Sequence, residues 1–288
     1  MPRFAGFISL GTPQFDANDL MSRMAGAYGI TNGGLVQDVA TDSDGAPVFG
    51  LVVTDPNCTT AQLEQRWDRR PGQWHVIDGR VDSIDGSPVE ETNYRQLADL
   101  WRDDPTGFYR RVSGGLAGVH FDAEQRRMTL FRDRFGVRTW YYATVGGMFV
   151  FASEIKALLA CPQLVSQVNY NMLSRYLAMN YRMWYGRGET FFADILEQPV
   201  STCLNASQEG VLIERYWSPP DYVLPSCVPG ATYVETCRDL LEQSVSHCLQ
   251  RSRRPLFFVS GGLDAPVVAA LARKISGESL DCCAGVFP

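Results

Sequence analysis

Phe257-Phe258-Val259-Ser260-Gly261-Gly262-Leu263-Asp264 is an apolar run that stops at a Ser-Gly-Gly turn, and the helical pattern Val267 to Lys274 follows it. A strand that empties through glycines into a helix N-terminus leaves backbone N–H groups without intrahelical partners, and the helix dipole adds partial positive charge at the same place. Such a junction can seat phosphate, so the predicted ligand is a nucleotide. Gly261 and Gly262 let the backbone approach an anion, Ser260 can add a hydroxyl donor, and Asp264 suits a phosphate-bound Mg²⁺. An ordinary strand-turn-helix junction, with glycine present only for a positive φ, fits the same residues, and the stretch by itself leaves both readings open. No Gly-Lys-Ser or Gly-Lys-Thr follows, and the spacing is not G-x-G-x-x-G, which excludes the Walker and dinucleotide loops.

Working outward, Pro255 to Val259, the helix to Lys274 and Leu280 to Phe287 read as a parallel strand-helix-strand unit, preceded by a helix over Thr232 to Gln250. Parallel strands are normally covered on both faces within a sheet of several strands. Two strands alone therefore predict further strands from a longer chain or a partner chain, or an unusual packing of the terminal unit. The proline-rich segment 218–230 reads as a linker, because proline denies it both ladder hydrogen bonds and helix continuation.

The part before that linker reads as mixed α and β. A strand is expected over residues 4–10, with helices over Asn18 to Ala27 (opened by Asp16 or Asn18), from Thr59 or Thr60 to Trp67, and over 92–103. Short strands then follow at Leu116 to Phe121, Met128 to Arg132, Thr139 to Ala143 and Met148 to Ala152, joined by turns, as in an antiparallel meander. Helices at Glu154 to Ala160 and Asn171 to Met179 precede a hairpin of Pro199 to Asn205 and Gly210 to Tyr216.

The 288 residues, 45% of them hydrophobic, suffice for a sizeable core, and the net charge of −6 gives no basic footprint for nucleic acid. No apolar run reaches the roughly 18 residues of a membrane span, and the N-terminus lacks the pattern of a signal peptide, so the expected address is the cytoplasm. The eight cysteines, Cys58, Cys161, Cys203, Cys227, Cys237, Cys248, Cys282 and Cys283, form no C-x-x-C pair and are read as small buried or half-buried side chains. His75, His120 and His247 are scattered and are read as packing or surface residues.

Three further stretches carry a family likeness: Arg132-Asp133-Arg134-Phe135-Gly136-Val137-Arg138, then Trp140-Tyr141-Tyr142-Ala143, then Phe149-Val150-Phe151-Ala152-Ser153-Glu154-Ile155-Lys156-Ala157-Leu158-Leu159. Together they resemble the second half of the glutaminase domain of asparagine synthetases. Thr190-Phe191-Phe192-Ala193-Asp194-Ile195 and Arg215-Tyr216-Trp217 match in the family's order, and Ser260 to Asp264 resembles the S-G-G-x-D-S pyrophosphate loop of ATP pyrophosphatases. The resemblance runs from Ser113 to Phe287. It implies an α+β N-terminal domain over 1–217, with the αββα layers of N-terminal-nucleophile hydrolases, the linker 218–230, and the start of an α/β parallel-sheet ATP pyrophosphatase domain over 231–288.

The same resemblance implies ATP and Mg²⁺ as cofactors. Ser260, Gly261, Gly262, Leu263 and Asp264 would hold pyrophosphate and metal, and Val259 and Ala284 would border adenine. A substrate carboxylate would be adenylated and then attacked by an amine, in a small molecule or peptide. The departures are specific. Ala265 and Pro266 replace residues of which the family's are usually serine, removing a hydroxyl and one amide donor. The family's nucleophilic Cys after the initiator Met is here Pro2, which has no thiol. Its His-Arg-Gly-Pro-Asp stretch has no counterpart near Tyr28 to Gly34, its Asn-Gly-Glu segment most nearly matches Asp78-Gly79-Arg80, and its amino-group-binding Asp corresponds to Glu91. Asp78, Arg80 and Glu91 are read as a solvated turn and helix start, Arg132, Asp133 and Arg134 as an ion-paired turn, and the aromatic group from Trp140 to Phe151 as core.

The expected function is thus amide formation without glutamine cleavage, similar to the β-lactam synthetases and lasso-peptide cyclases that lack the N-terminal Cys. A non-catalytic scaffold of the same fold and an ammonia-dependent asparagine synthetase are the alternatives. No catalytic base is visible in the sequence.

Overall fold

The structure is a computed structural model, and it describes residues 2–11, 15–30, 33–105, 107–179, 188–219, 230–250, 252 and 254–285. β1 (Arg3–Ser9) shows why the first unit has layers. Its sequence is apolar on both faces because Phe4 and Ile8 enter one core while Ala5 and Phe7 enter another. A strand with that pattern belongs in the middle of a sheet covered on both sides.

In chain order, β1 is followed by α1 (Ala17–Gly26), β2 (Gly34–Thr41), β3 (Pro47–Asp55), α2 (Thr60–Glu64), β4 (Trp67–Arg70), β5 (Gln73–Ile84), β6 (Ser87–Pro88), α3 (Tyr94–Asp103) and α4 (Phe108–Arg111). Then come β7 (Val112–Asp122), β8 (Arg127–Arg132), β9 (Tyr141–Val145), β10 (Met148–Ala152), α5 (Ile155–Leu159), α6 (Tyr170–Met179), β11 (Leu196–Glu197), β12 (Thr202–Ser207) and β13 (Gly210–Arg215). One antiparallel sheet has the order β11-β9-β10-β1-β3-β2, and the other has β13-β12-β8-β7-β5-β4 with β6 beside β5.

The two sheets face each other across a core that includes Phe4, Phe49, Val53, Phe121, Leu130 and Trp140, with Phe49 and Phe121 stacked at 4.4 Å. Such a ring pair adds about 0.5–1.5 kcal/mol to the burial of its area. Outside the first sheet, Leu20, Met21 and Met24 of α1 and Leu158 of α5 cover Phe7, Val52 and Val150. Outside the second, Leu97 and Trp101 of α3 and Phe108 and Tyr109 of α4 cover Ile77, Leu116 and Phe131. The layers are therefore α, β, β, α, as expected, and the aromatic residues Trp140, Tyr142, Phe149 and Phe151 are buried in the core.

Asp16 caps α1, its carboxylate accepting from the N–H groups of Asn18 and Asp19, which decides between the two expected caps. The helix expected to reach Trp67 ends at Glu64 instead. Trp67 starts β4, because its ring is taken into the intersheet core and its backbone pairs with Val76. The region 34–84, read as alternating α and β, is mostly strand. β2, β3, β4 and β5 gave no clear period because β3 is buried on both faces, whereas β2 is half exposed.

The chain divides into two compact units, 1–219 and 220–288. In the second, α7 (Gly230–Gln250) precedes β14 (Leu256–Phe258), α8 (Asp264–Ser276) and β15 (Asp281–Cys283). β14 and β15 pair in parallel, Phe257 opposite Cys282. Their residues are mostly exposed, Phe258 at 72%. Most of the expected linker, 220–229, and the end of the expected last strand, 286–288, lie outside the described residues. The expectation of buried or half-buried cysteines holds for Cys58, Cys161 and Cys203. It fails for Cys237, Cys248, Cys282 and Cys283, which are exposed, while Cys227 lies outside the described residues.

Candidate functional site

β14 ends at Phe258, and the next N–H, of Val259, donates to Cys283 O at 2.9 Å. That bond sets Val259 beside the end of β15 and so near Ala284, at the C-terminal edge where parallel sheets bind ligands. From there Ser260, Gly261, Gly262 and Leu263 lead into α8, whose first turn is Asp264, Ala265 and Pro266. The first helical hydrogen bond runs from Val267 N to Leu263 O at 3.0 Å. Pro266 thus occupies a position whose N–H would have had no helical partner, and it costs the helix nothing.

Among the described residues, only one amide of this turn is committed: Gly262 N donates to Ser260 Oγ at 3.3 Å. Ser260 therefore accepts within the loop and keeps its own proton to donate outward. Gly261, Gly262, Leu263 and Asp264 are exposed, and the N–H groups of Gly261, Leu263, Asp264 and Ala265 meet no acceptor among the described residues.

The backbone of the two glycines bears on the positive-φ reading of the loop. Neither Gly261 nor Gly262 has a positive φ. A Cβ on Gly261 would meet nothing within 4 Å, and on Gly262 only Ser260 Oγ at 3.4 Å. The explanation by positive φ is thus overturned, and among the described residues nothing crowds a Cβ at Gly261. The donor set of exposed amides suits an anion, and the single carboxylate of Asp264 suits a Mg²⁺ that takes its other ligands from phosphate and water.

The first unit carries the second candidate region. A cavity of about 330 Å³ opens at one end of the space between the sheets, bordered by Pro2, Phe4, Asp78, Arg138, Trp140 and Glu154. Asp78, expected in a solvated turn, lies within β5 and is 5% exposed. Its carboxylate is bracketed by Arg66 at 3.1 Å and Arg138 at 3.0 Å. Burial pushes this carboxyl above its usual range, while Arg138 and Arg66 pull it back. Gly79 has φ +118, and a Cβ there would stand 2.1 Å from Gly115 O, so the cross-strand pairing demands glycine. Arg80 pairs with Asp82 at 2.8 Å, and Glu91 is exposed ahead of α3.

The structure thus brings Pro2 and Asp78 to one cavity, and Arg80 and Glu91 are not among the residues that line it. Sequence reasoning missed Arg3 and Glu154 at the cavity and Arg66 as a partner of Asp78. Arg3 pairs with Glu154 at 2.6 Å across some 150 positions of sequence. Such a pairing leaves no local pattern to read. Ser153 Oγ accepts from Phe4 N at 3.0 Å, and Cys58 Sγ donates to Asp55 at 3.5 Å, its thiol pushed up by burial and by Asp55. The Cys58 thiol is therefore not poised as a nucleophile. Part of the Tyr28 to Gly34 stretch, Thr31 and Asn32, lies outside the described residues.

The turn after β8 is held mainly by hydrogen bonds to backbone, where ion pairs were expected. Asp133 Oδ1 accepts from the N–H groups of Phe135 and Val137, and Oδ2 from that of Arg138. Arg132 is buried, donates to Arg138 O and Gln198 O, and pairs with Glu197 at 2.9 Å. Arg134 donates to Ser113 Oγ and Arg110 O. This turn places Arg138 beside Asp78, which is its contribution to the cavity.

Residues 97–217 match the family described as glutamine amidotransferase domain, and residues 236–288 match the family described as asparagine synthase; the two matches together span more than half of the chain. A Bacillus subtilis protein named asparagine synthetase (glutamine-hydrolyzing) 3 is 29% identical over 172 residues, 60% of this chain and 27% of that protein. A second B. subtilis protein, asparagine synthetase (glutamine-hydrolyzing) 2, is 28% identical over 190 residues, 62% of this chain and 25% of that protein. The chain spans about a quarter of the length of these relatives. Among solved structures, glutamine phosphoribosylpyrophosphate amidotransferase from B. subtilis, complexed with ADP and GMP, aligns with a TM-score of 0.49 at 14% identity, covering 98% of this chain and 65% of that one.

Proposed function

We propose that this chain, which belongs to the asparagine synthetase family, serves an ATP-dependent amide-forming ligase whose glutaminase-like unit no longer cleaves glutamine. The observation that carries the reading is the loop before α8. Its glycines have neither a positive φ nor a Cβ clash among the described residues, and the amides of Gly261, Leu263, Asp264 and Ala265 have no acceptor among them, the first three on exposed residues. Gly261, Leu263, Asp264 and Ala265 would offer N–H groups to the phosphates, Ser260 its hydroxyl proton, and Asp264 a carboxylate to Mg²⁺, with Val259 and Ala284 bordering the base. ATP supplies an adenylyl group to a substrate carboxylate, with release of pyrophosphate, and an amine then displaces AMP to form the amide.

The glutaminase-like unit supports the second half of the reading. Pro2 places a thiol-free side chain at the cavity, the Cys58 thiol is pushed up and donates to Asp55, and Arg66 and Arg138 take up the Asp78 carboxylate. The amine would then come from the substrate itself, as in a macrolactam or β-lactam cyclisation, or from free ammonia.

Calorimetric titration of the chain with MgATP tests the loop. Saturable one-to-one binding is expected, and it should be lost in Gly261→Val and weakened by about tenfold or more in Asp264→Ala. Absence of binding at millimolar nucleotide would overturn the ligase reading and favour a non-catalytic scaffold. Ammonia released from glutamine above background would overturn the loss of glutaminase chemistry.

A further inference from the structure

The second sheet ends in two unlike edge strands. β4 carries Asp68, Arg69 and Arg70, and these charges are tied into the fold: Asp68 pairs with Arg102, and Arg70 with Asp99 at 2.6 Å. β13 carries Val211-Leu212-Ile213, all exposed, Leu212 at 58%. It pairs with β12 on one side and, among the described residues, with no strand on the other. Charge on an edge strand guards it against pairing with another chain, whereas a run of exposed apolar residues invites such pairing.

The backbone of β13 is half used. The two-residue turn Gln208-Glu209 sets Ser207 opposite Gly210, and at the far end Tyr216 N donates to Ser201 O at 3.0 Å. Bonded and non-bonded pairs alternate along an antiparallel ladder. Gly210, Leu212, Glu214 and Tyr216 therefore bond toward β12, and the N–H and C=O groups of Val211, Ile213 and Arg215 point to the free edge. The side chains alternate as well. Val211 and Ile213 stand opposite Ala206 and Leu204, on the face toward the intersheet core, and Leu212 stands opposite Asn205 on the other face.

A second copy of the chain fits this edge in one register. Two identical edges related by a twofold axis run antiparallel, and their outward-pointing residues must meet. Centred on Val211, such a pair would set Ile213 against Glu209. Centred on Ile213, it would set Val211 against Arg215 and Leu212 against Glu214. Centred on Leu212, it sets Val211 against Ile213 on both sides of the axis, Leu212 against itself, and Glu209 against Arg215 at both ends. Arg215 donates to Val200 O at 3.2 Å, and neither it nor the Glu209 carboxylate has an ion-pair partner among the described residues.

We propose that β13 is a self-association edge: two copies of this chain join β13 to β13, antiparallel about Leu212, and continue the second sheet from one copy into the other. Val211 and Ile213 of both copies form one apolar patch, Leu212 packs on the partner's Leu212, and a Glu209–Arg215 pair closes each end. Apolar and opposite-charge pairs across strands are what stabilise a sheet. The proposal is independent of the nucleotide reading, since β13 belongs to unit 1.

Sedimentation equilibrium of the full chain tests it. A dimer with Kd of about 10 μM or tighter is expected, and Leu212→Lys, at an exposed position, should weaken it by about tenfold or more. Glu209→Arg and Arg215→Glu should each weaken it by about tenfold, because like charges then face each other at both ends. The double exchange should return it to within about threefold of the parent chain, a rescue that a merely misfolded variant would not show. A monomer at about 100 μM, growth beyond the dimer, a dimer indifferent to Leu212→Lys, or charge exchanges without loss and rescue would each overturn the proposal.

Discussion

Gly79 and the pair Gly261-Gly262 occupy comparable places, each beside a residue expected to touch ligand, yet the structure accounts for them in opposite ways. Gly79 has a left-handed backbone and no room for a Cβ against Gly115 O, and beside it Asp78 is clamped between Arg66 and Arg138. Gly261 and Gly262 have neither constraint. One glycine is explained by the fold and the other two are not. A residue that the protein's own packing requires says nothing about a ligand, whereas a glycine left open on both counts points outside the chain.

The largest effect expected from this contrast is on stability. Gly79→Ala combines a positive φ with a steric overlap against backbone and should cost about 3 kcal/mol or more, read as the urea unfolding midpoint of the full chain. A cost below about 1 kcal/mol would break the comparison. Asp78→Ala should follow closely. It leaves two largely buried guanidinium groups without their shared carboxylate, for a loss of about 3 kcal/mol, and Asp78→Asn should lose less because a hydrogen-bonding group remains.

A pH series tests the unit further. Burial holds His120 down to about 4, with Asp122 partly opposing it, and burial together with His120 holds His75 well below its usual value. Between pH 6.5 and 4 the unfolded chain binds protons that the folded one refuses, so stability should fall as pH drops through that window. The slope is at most about 1.4 kcal/mol per pH unit for each histidine. Urea midpoints at successive pH values should show it, and His120→Gln should flatten it. Asp78 acts with the opposite sign, since a carboxyl raised by burial prefers its proton in the folded state and favours folding as pH falls through its range.

The smallest stability change belongs to the open loop. Gly261→Ala should lie within about 1 kcal/mol of the parent chain while MgATP affinity falls about tenfold. A large loss of stability there would mean that the glycine answers to the fold after all.

Much of the architecture was legible beforehand. The hairpins from Leu116 to Ala152 show up as apolar and aromatic runs punctuated by Asp-Ala-Glu-Gln and Gly-Gly turns, and the strand-turn-helix at Ser260 has a pattern of its own. The region 34–84 was not legible. β3 is buried on both faces and so lacks alternation, and the helical signal after Thr59 gives way when the intersheet core captures Trp67. The exposed positions of Cys237, Cys248, Cys282 and Cys283 escaped as well, because a cysteine's burial depends on what covers its element.

The family motifs, the absence of a thiol at Pro2 and the chemistry available to the loop from Ser260 to Asp264 are all written in the order of the residues, since local spacing determines which groups a turn or a helix end can offer. Only the tertiary structure decided that Arg66 and Arg138 enclose Asp78, that Arg3 reaches Glu154, and that His120, Thr129 and Asn205 stand in one cross-strand row. Those contacts join segments far apart in sequence, and strand register and sheet packing, which no local pattern encodes, bring them within reach of one another.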